Sequence, residues 1–200
     1  KGDNLLNHLT PETATTLKTV CEQFGIDSAG MAKVRPWAAA HNLRRLVAAK
    51  AGAENPDFMD EYFHEQAIKA GKGVDYLRKP EEIVAFYGSL PNAVQGDLFR
   101  KQVDEAHRAK EWIGDADAAW RSGDAARAVE LVESAYQPYP GLREAAVAPA
   151  AKTWAERLDG MTKFDERIFV VAPADHVVGP GGMIEHLQTL GFSVAPVANE

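Results

Sequence analysis

Apolar side chains recur at helical spacing through most of the 200 residues, and caps and breakers divide that recurrence into separate helices. Thr10-Pro11-Glu12 opens the first. Threonine is a favourable N-cap, proline suits the first turn, and an acid complements the positive end of the helix dipole. Leu17, Val20 and Phe24 then share one face, and Gly25 ends the helix. Pro36 starts a second, with Trp37, Ala40, Leu43, Leu46 and Val47 in helical register until Gly52. A third begins at Asn55-Pro56-Asp57, carries Phe58, Met59, Tyr62, Phe63 and Ile68, and stops at Gly71. Pro80-Glu81-Glu82 opens a fourth that ends near Gly88, and Leu90-Pro91 opens a long one through Phe99 and Val103 toward Trp112. Ser122-Gly123-Asp124 marks a turn and a new cap after Trp120. Tyr139-Pro140-Gly141 is a loop, after which an alanine-rich helix runs through Trp154 to Leu158.

The pattern changes in the tail. Residues 167–172 are short, apolar and rich in β-branched side chains, the signature of a strand. A helix over residues 182–190 closes at Gly191, and residues 192–197 read as a last strand. The expected fold class is therefore α/β and mostly helical. A small mixed sheet of residues 74–77, 167–172 and 192–197 is covered by helices, and the C-terminal strand-helix-strand unit is wound so that its two strands are adjacent and parallel. So small a sheet cannot cover its own faces, and strands preceding Lys1 would most simply complete it. Residues 1–200 are expected to form one domain.

Hydrophobic content of 46% and charged content of 26% suit a globular chain able to bury a core without metal or disulfide staples. The net charge of -7 excludes a nucleic-acid partner, since phosphate binding needs a clustered basic face and Arg44, Arg45 and Lys50 are too few to make one. Cys21 is the single cysteine, so neither an intramolecular disulfide nor a thiolate metal cluster can be built. No apolar stretch approaches the roughly 20 residues that a membrane-spanning helix needs.

Candidate chemistry concentrates in FVVAPADHVVGPGG, from Phe169 to Gly182. Asp175 and His176 stand at the carboxyl end of the expected strand, a common place for a ligand or a proton-transfer group. Gly179-Pro180-Gly181-Gly182 then enters a helix. Backbone N–H groups gathered there suit an anion, although the spacing matches neither a dinucleotide fingerprint nor a phosphate-binding loop, and such a turn is more often only a tight connection. A second cluster comprises Asp57, Asp60, Glu61, His64 and Glu65, with Asp60 and His64 on one helical face. That geometry can ligate a metal, but the helix lacks a second histidine at zinc-protease spacing, which favours an acidic solvated face. Trp37, Trp112, Trp120 and Trp154 are expected in the core. No serine lies in a nucleophile-elbow context, and Cys21 has no histidine near it in sequence, so nucleophilic catalysis has no support.

Several segments occur in an order that resembles the TraB/GumN family, specifically the part after that family's first histidine motif. They are Leu9-Thr10-Pro11-Glu12, Arg35-Pro36-Trp37, Asp60 with Ala67 and Gly71-Lys72, Leu77 before Pro80-Glu81-Glu82, Leu90-Pro91, Trp120 with Gly123-Asp124, Trp154-Ala155, and Phe169-Val170 through His176 to Gly179, Gly182 and Gly191-Phe192. The resemblance implies a metal-dependent, peptidase-like hydrolase with a divalent manganese, cobalt or zinc ion. His176 would be a metal ligand or catalytic base, Asp175 its assistant, and Arg78, Gly179, Gly181 and Gly182 would lie around the site. Relatives often carry export signals, which implies an extracytoplasmic location. Three positions depart from the family pattern. Pro173 stands in place of the second motif's glycine, Arg78 in place of a glutamate after Leu77, and Ala150-Ala151 in place of an Arg-Asn pair before Trp154. A cation at Arg78 opposes a bound metal ion. Two readings therefore stay open, a hydrolase and a non-catalytic relative that binds a peptide or protein partner.

Overall fold

A computed structural model describes residues 5–51, 59–162 and 167–197. The chain packs as two compact units, one of residues 1–57 and 84–117 and the other of residues 58–83 and 118–200.

In the first unit, α1 (Pro11–Phe24) and α2 (Pro36–Lys50) both pack on α5 (Asn92–His107). Local chemistry sets the ends of α1. The Thr10 hydroxyl accepts from the Thr13 N–H at 3.2 Å, and Gly25 closes the helix at a φ of 62°, a left-handed conformation that glycine adopts without steric cost. Leu17, Val20, Leu43, Val47, Phe99 and Val103 meet in one core, which is the apolar stripe expected from their spacing. Arg35 donates to the Gly88 carbonyl at 2.8 Å, and Trp37 stacks on Tyr87 with centroids 5.9 Å apart, fixing the start of α2. The single long helix expected from Leu90 onward is two. Arg108, at a φ of -102°, separates α5 from α6 (Ala109–Ser122). The end of α4 (Pro80–Ser89) also belongs to this unit.

The second unit is built on α9 (Ala148–Thr162), which packs against α8 (Leu142–Ala146), α10 (Ala174–Val177) and α11 (Met183–Thr189). Ala150, Ala151 and Ala155 are fully buried, and these small side chains let neighbouring backbone come close to α9. α7 (Ala125–Tyr136) begins at Asp124, whose carboxylate accepts from the Arg127 N–H at 2.9 Å, as the turn chemistry requires. α3 (Met59–Lys69) ends before Gly71 as expected, while its expected first turn at Asn55–Asp57 lies outside the described residues.

The expected α/β class is overturned. Among the described residues there are eleven α-helices and no strand, and residues 74–77, 167–172 and 192–197 form neither a mixed sheet nor a strand-helix-strand unit. Alternation is nevertheless visible in the burial of residues 167–172: Ile168, Val170 and Ala172 pack on the α9 core, whereas Phe169 is 73% exposed. Alternation records only which side is covered. A strand also needs a second strand to receive its N–H and C=O groups, and no such ladder reaches these residues within the described chain. The tryptophans are corrected too. Trp154 is buried, but Trp112 and Trp120 are exposed, the latter at 72%. No helix among the described residues is long and apolar enough to cross a membrane.

Candidate functional site

Asp175 and His176 do not end a strand. They sit on α10, a four-residue helix that starts after Pro173, whose carbonyl accepts from the His176 N–H at 2.9 Å. The site is assembled around them by the second unit. The Tyr136 hydroxyl, at the end of α7, donates to Asp175 Oδ2 at 2.7 Å, and Asp175 Oδ1 lies 2.8 Å from His176 Nδ1. A carboxylate oxygen only accepts, so Nδ1 carries the hydrogen and the lone pair of the neutral ring is on Nε2. His176 is 8% exposed. Its ring stacks on Trp154 of α9 with centroids 4.8 Å apart and planes 19° from parallel. Stacking on one face and the Asp175 hydrogen bond on one edge together fix the ring. Nε2 has no hydrogen-bond partner among the described residues, yet it is not sealed from solvent.

The two arginines flank this centre. The Arg78 guanidinium carbon lies 5.9 Å from the Trp154 ring centroid, so Arg78 and His176 both lie against Trp154. Arg143 of α8 was not singled out in the sequence. Its Nε donates to the Pro180 carbonyl at 2.8 Å, its Nη2 donates to the Val178 carbonyl, and its guanidinium carbon lies 5.6 Å from the Tyr136 ring centroid. It thereby ties the glycine loop to the helices that hold Tyr136 and His176. In that loop Gly179 and Gly181 adopt φ of 78° and 68°, and the Gly181 N–H donates to Glu185 at 2.7 Å. That amide is therefore spent on the first turn of α11 rather than offered to an anion.

The second sequence cluster does not assemble. His64 Nε2 pairs with the Tyr76 hydroxyl at 3.2 Å and the rings stack, Glu65 pairs with Lys69 at 3.2 Å, and Asp60 and Glu61 face solvent. Asp57 lies outside the described residues. Nearby, Arg157 grips both oxygens of Asp75 at 2.9 Å. That guanidinium and the Tyr76 N–H hold the Asp75 carboxyl below its ordinary range. A groove of about 480 Å³ beside α1 belongs to the first unit and carries none of this chemistry.

The donor set falls short of what a divalent metal requires. His176 Nε2 offers one ligand, both Asp175 oxygens are engaged, and no group of three His, Cys, Asp or Glu side chains suited to a metal occurs among the described residues. These residues alone do not make a first shell for manganese, cobalt or zinc.

The profile of the TraB/PrgY/gumN family matches residues 1–196. The chain belongs to the TraB/PrgY/gumN family. No curated protein and no solved structure matches. Within this family member, Tyr136 and Arg143 escaped the sequence reading because each meets the glycine-loop segment across 35 or more residues of chain. Tyr136 reads as the last apolar position of an amphipathic helix, and Arg143 as an ordinary helical charge.

Proposed function

We propose that the second unit carries the proton-transfer centre of a hydrolase acting on peptide-like substrates. What supports this reading is the Tyr136–Asp175–His176 chain, which ends in an oriented Nε2 with no hydrogen-bond partner among the described residues. In the reaction, Nε2 takes a proton from an attacking water as the new bond to the substrate carbonyl forms. Asp175 holds the ring and stabilises the imidazolium, which then returns the proton to the leaving group. Trp154 keeps the ring in one orientation. The described residues alone do not supply the first shell of a metal ion.

A fluorogenic peptide library assayed with the wild-type chain, His176→Ala, Asp175→Asn and Tyr136→Phe tests this. Loss of the base lowers turnover by about 10²–10⁴-fold, with smaller losses in the other two variants. Turnover unchanged in His176→Ala overturns the assignment. One observation favours a second reading, a non-catalytic peptide-binding module. Phe169 is exposed against Phe63 with centroids 5.0 Å apart, and Tyr62 meets Phe63 edge-on at 5.3 Å, an aromatic surface of the kind interfaces use. Binding of library peptides without cleavage, weakened by Phe169→Ser but not by His176→Ala, selects that reading.

A further inference from the structure

Residues 167–172 are anchored by their side chains and unspent along their backbone. Ile168, Val170 and Ala172 pack on the α9 core, while Phe169 is 73% exposed and lies against Phe63 with centroids 5.0 Å apart. Among the described residues, nothing donates to the C=O groups of this segment or accepts from its N–H groups. Alternate side chains turned to the core give the segment the period of a strand, and a strand without a neighbour is a template for one. An incoming extended chain meets those groups with its own N–H and C=O. Phe169, with Phe63 beside it and Tyr62 edge-on to Phe63, adds an exposed aromatic contact on the outward face.

We infer that residues 167–172 bind a peptide in extended conformation by accepting it as a paired strand, with one of its apolar side chains against Phe169. The inference rests on the peptide-like substrate class of the proposed function and gives that class a binding mode. Main-chain pairing supplies affinity whatever the side chains, and the aromatic contact supplies preference. The partner is therefore an unfolded peptide segment with an apolar residue beside Phe169, not a helix. Pro173 alone separates the segment from α10, so the bound chain lies along the approach to Asp175 and His176.

A blocked probe, acetyl-Thr-Phe-Thr-Val-Thr-amide, is titrated calorimetrically into the full chain, together with its single N-methyl analogues, one for each residue. A paired strand turns the N–H groups of every second residue toward its neighbour. The expected result is saturable binding that falls about tenfold or more when a pairing amide is methylated and changes by less than about twofold at the amides between. Hydrogen exchange followed by NMR gives a second readout on the protein, where the saturating probe slows exchange at alternate amides of residues 167–172. Phe169→Ser, at an exposed position, keeps the fold and binds severalfold more weakly. No saturable binding, binding that the methylations leave alone or weaken alike, protection confined to residues outside 167–172, or binding unchanged in Phe169→Ser overturns the inference. A probe bound with this alternation but never cleaved tells against the proposed hydrolase and not against this site, whereas cleavage without the alternation does the reverse.

Discussion

Adding one methyl group at Gly182 separates steric packing from backbone conformation. Gly182 has an ordinary φ of -77° as the N-cap of α11, so alanine meets no left-handed strain there. Its Cβ would instead lie 2.8 Å from the Val177 carbonyl oxygen and 2.9 Å from those of Gly179 and Val178. Each contact is about half an ångström short of normal van der Waals separation, and all three atoms are backbone. No side chain can turn aside to relieve them. The segment must move, and the Val178 and Pro180 carbonyls held by Arg143 lie in or beside it. Overpacking costs about 1–3 kcal/mol, and the lack of a soft neighbour places Gly182→Ala near the top of that span. For a chain of this length about 2–3 kcal/mol lowers the melting temperature by about 5–10 °C. The comparison is Gly96→Ala, within α5, where an added Cβ meets nothing within 4 Å. There the alanine stabilises by about 0.5–1 kcal/mol, because glycine loses more backbone entropy on entering a helix. Circular dichroism melts of both variants decide the matter. A Gly182→Ala protein melting within a degree of wild type would show that the 177–182 segment shifts freely, which refutes the packing argument.

Asp75→Asn removes the carboxylate gripped by Arg157 and costs at most about 1 kcal/mol at pH 7, given the exposure of the pair. Because folding holds the Asp75 carboxyl below its ordinary range, the contribution is present above the unfolded-state value near pH 4 and is lost as pH falls through the folded one. Wild-type and Asp75→Asn urea midpoints should therefore converge in acid. A gap that persists below that range contradicts the assigned cause. Phe99→Ala empties a fully buried position where α1 and α2 meet α5 and should cost about 3–5 kcal/mol, read from the urea midpoint. A loss under 1 kcal/mol means that the first unit closes over the cavity.

Most of the longer helices and the pairing of Asp175 with His176 were legible because both rest on short-range chemistry. Thr10, Asp124 and Gly25 act within one turn of their own backbone. Leu17, Val20 and Phe24 share a face through geometry that no distant residue changes. Asp175 and His176 are adjacent in the chain, so their hydrogen bond could be anticipated from the dipeptide. Tyr136 and Arg143 could not be found in this way. Their roles depend on which helix end is brought to residues 175–180, and nothing local encodes that arrival.

What the sequence by itself determined is most of the longer helices, the caps at Thr10, Gly25 and Asp124, and the chemical groups at residues 175–182, but neither the break between α5 and α6 nor the short helix α10. Tertiary structure alone decided that the apolar alternation of residues 167–172 covers α9 without entering a ladder, that Trp120 is exposed while Trp154 stacks on His176, and that Arg143 reaches the glycine loop. The physical reason is the range of the hydrogen bonds involved. A helix satisfies its backbone within four residues, so its sequence suffices to specify it. Strand pairing and a buried polar cluster require partners from elsewhere in the chain, and only the packed fold determines which partners come within reach.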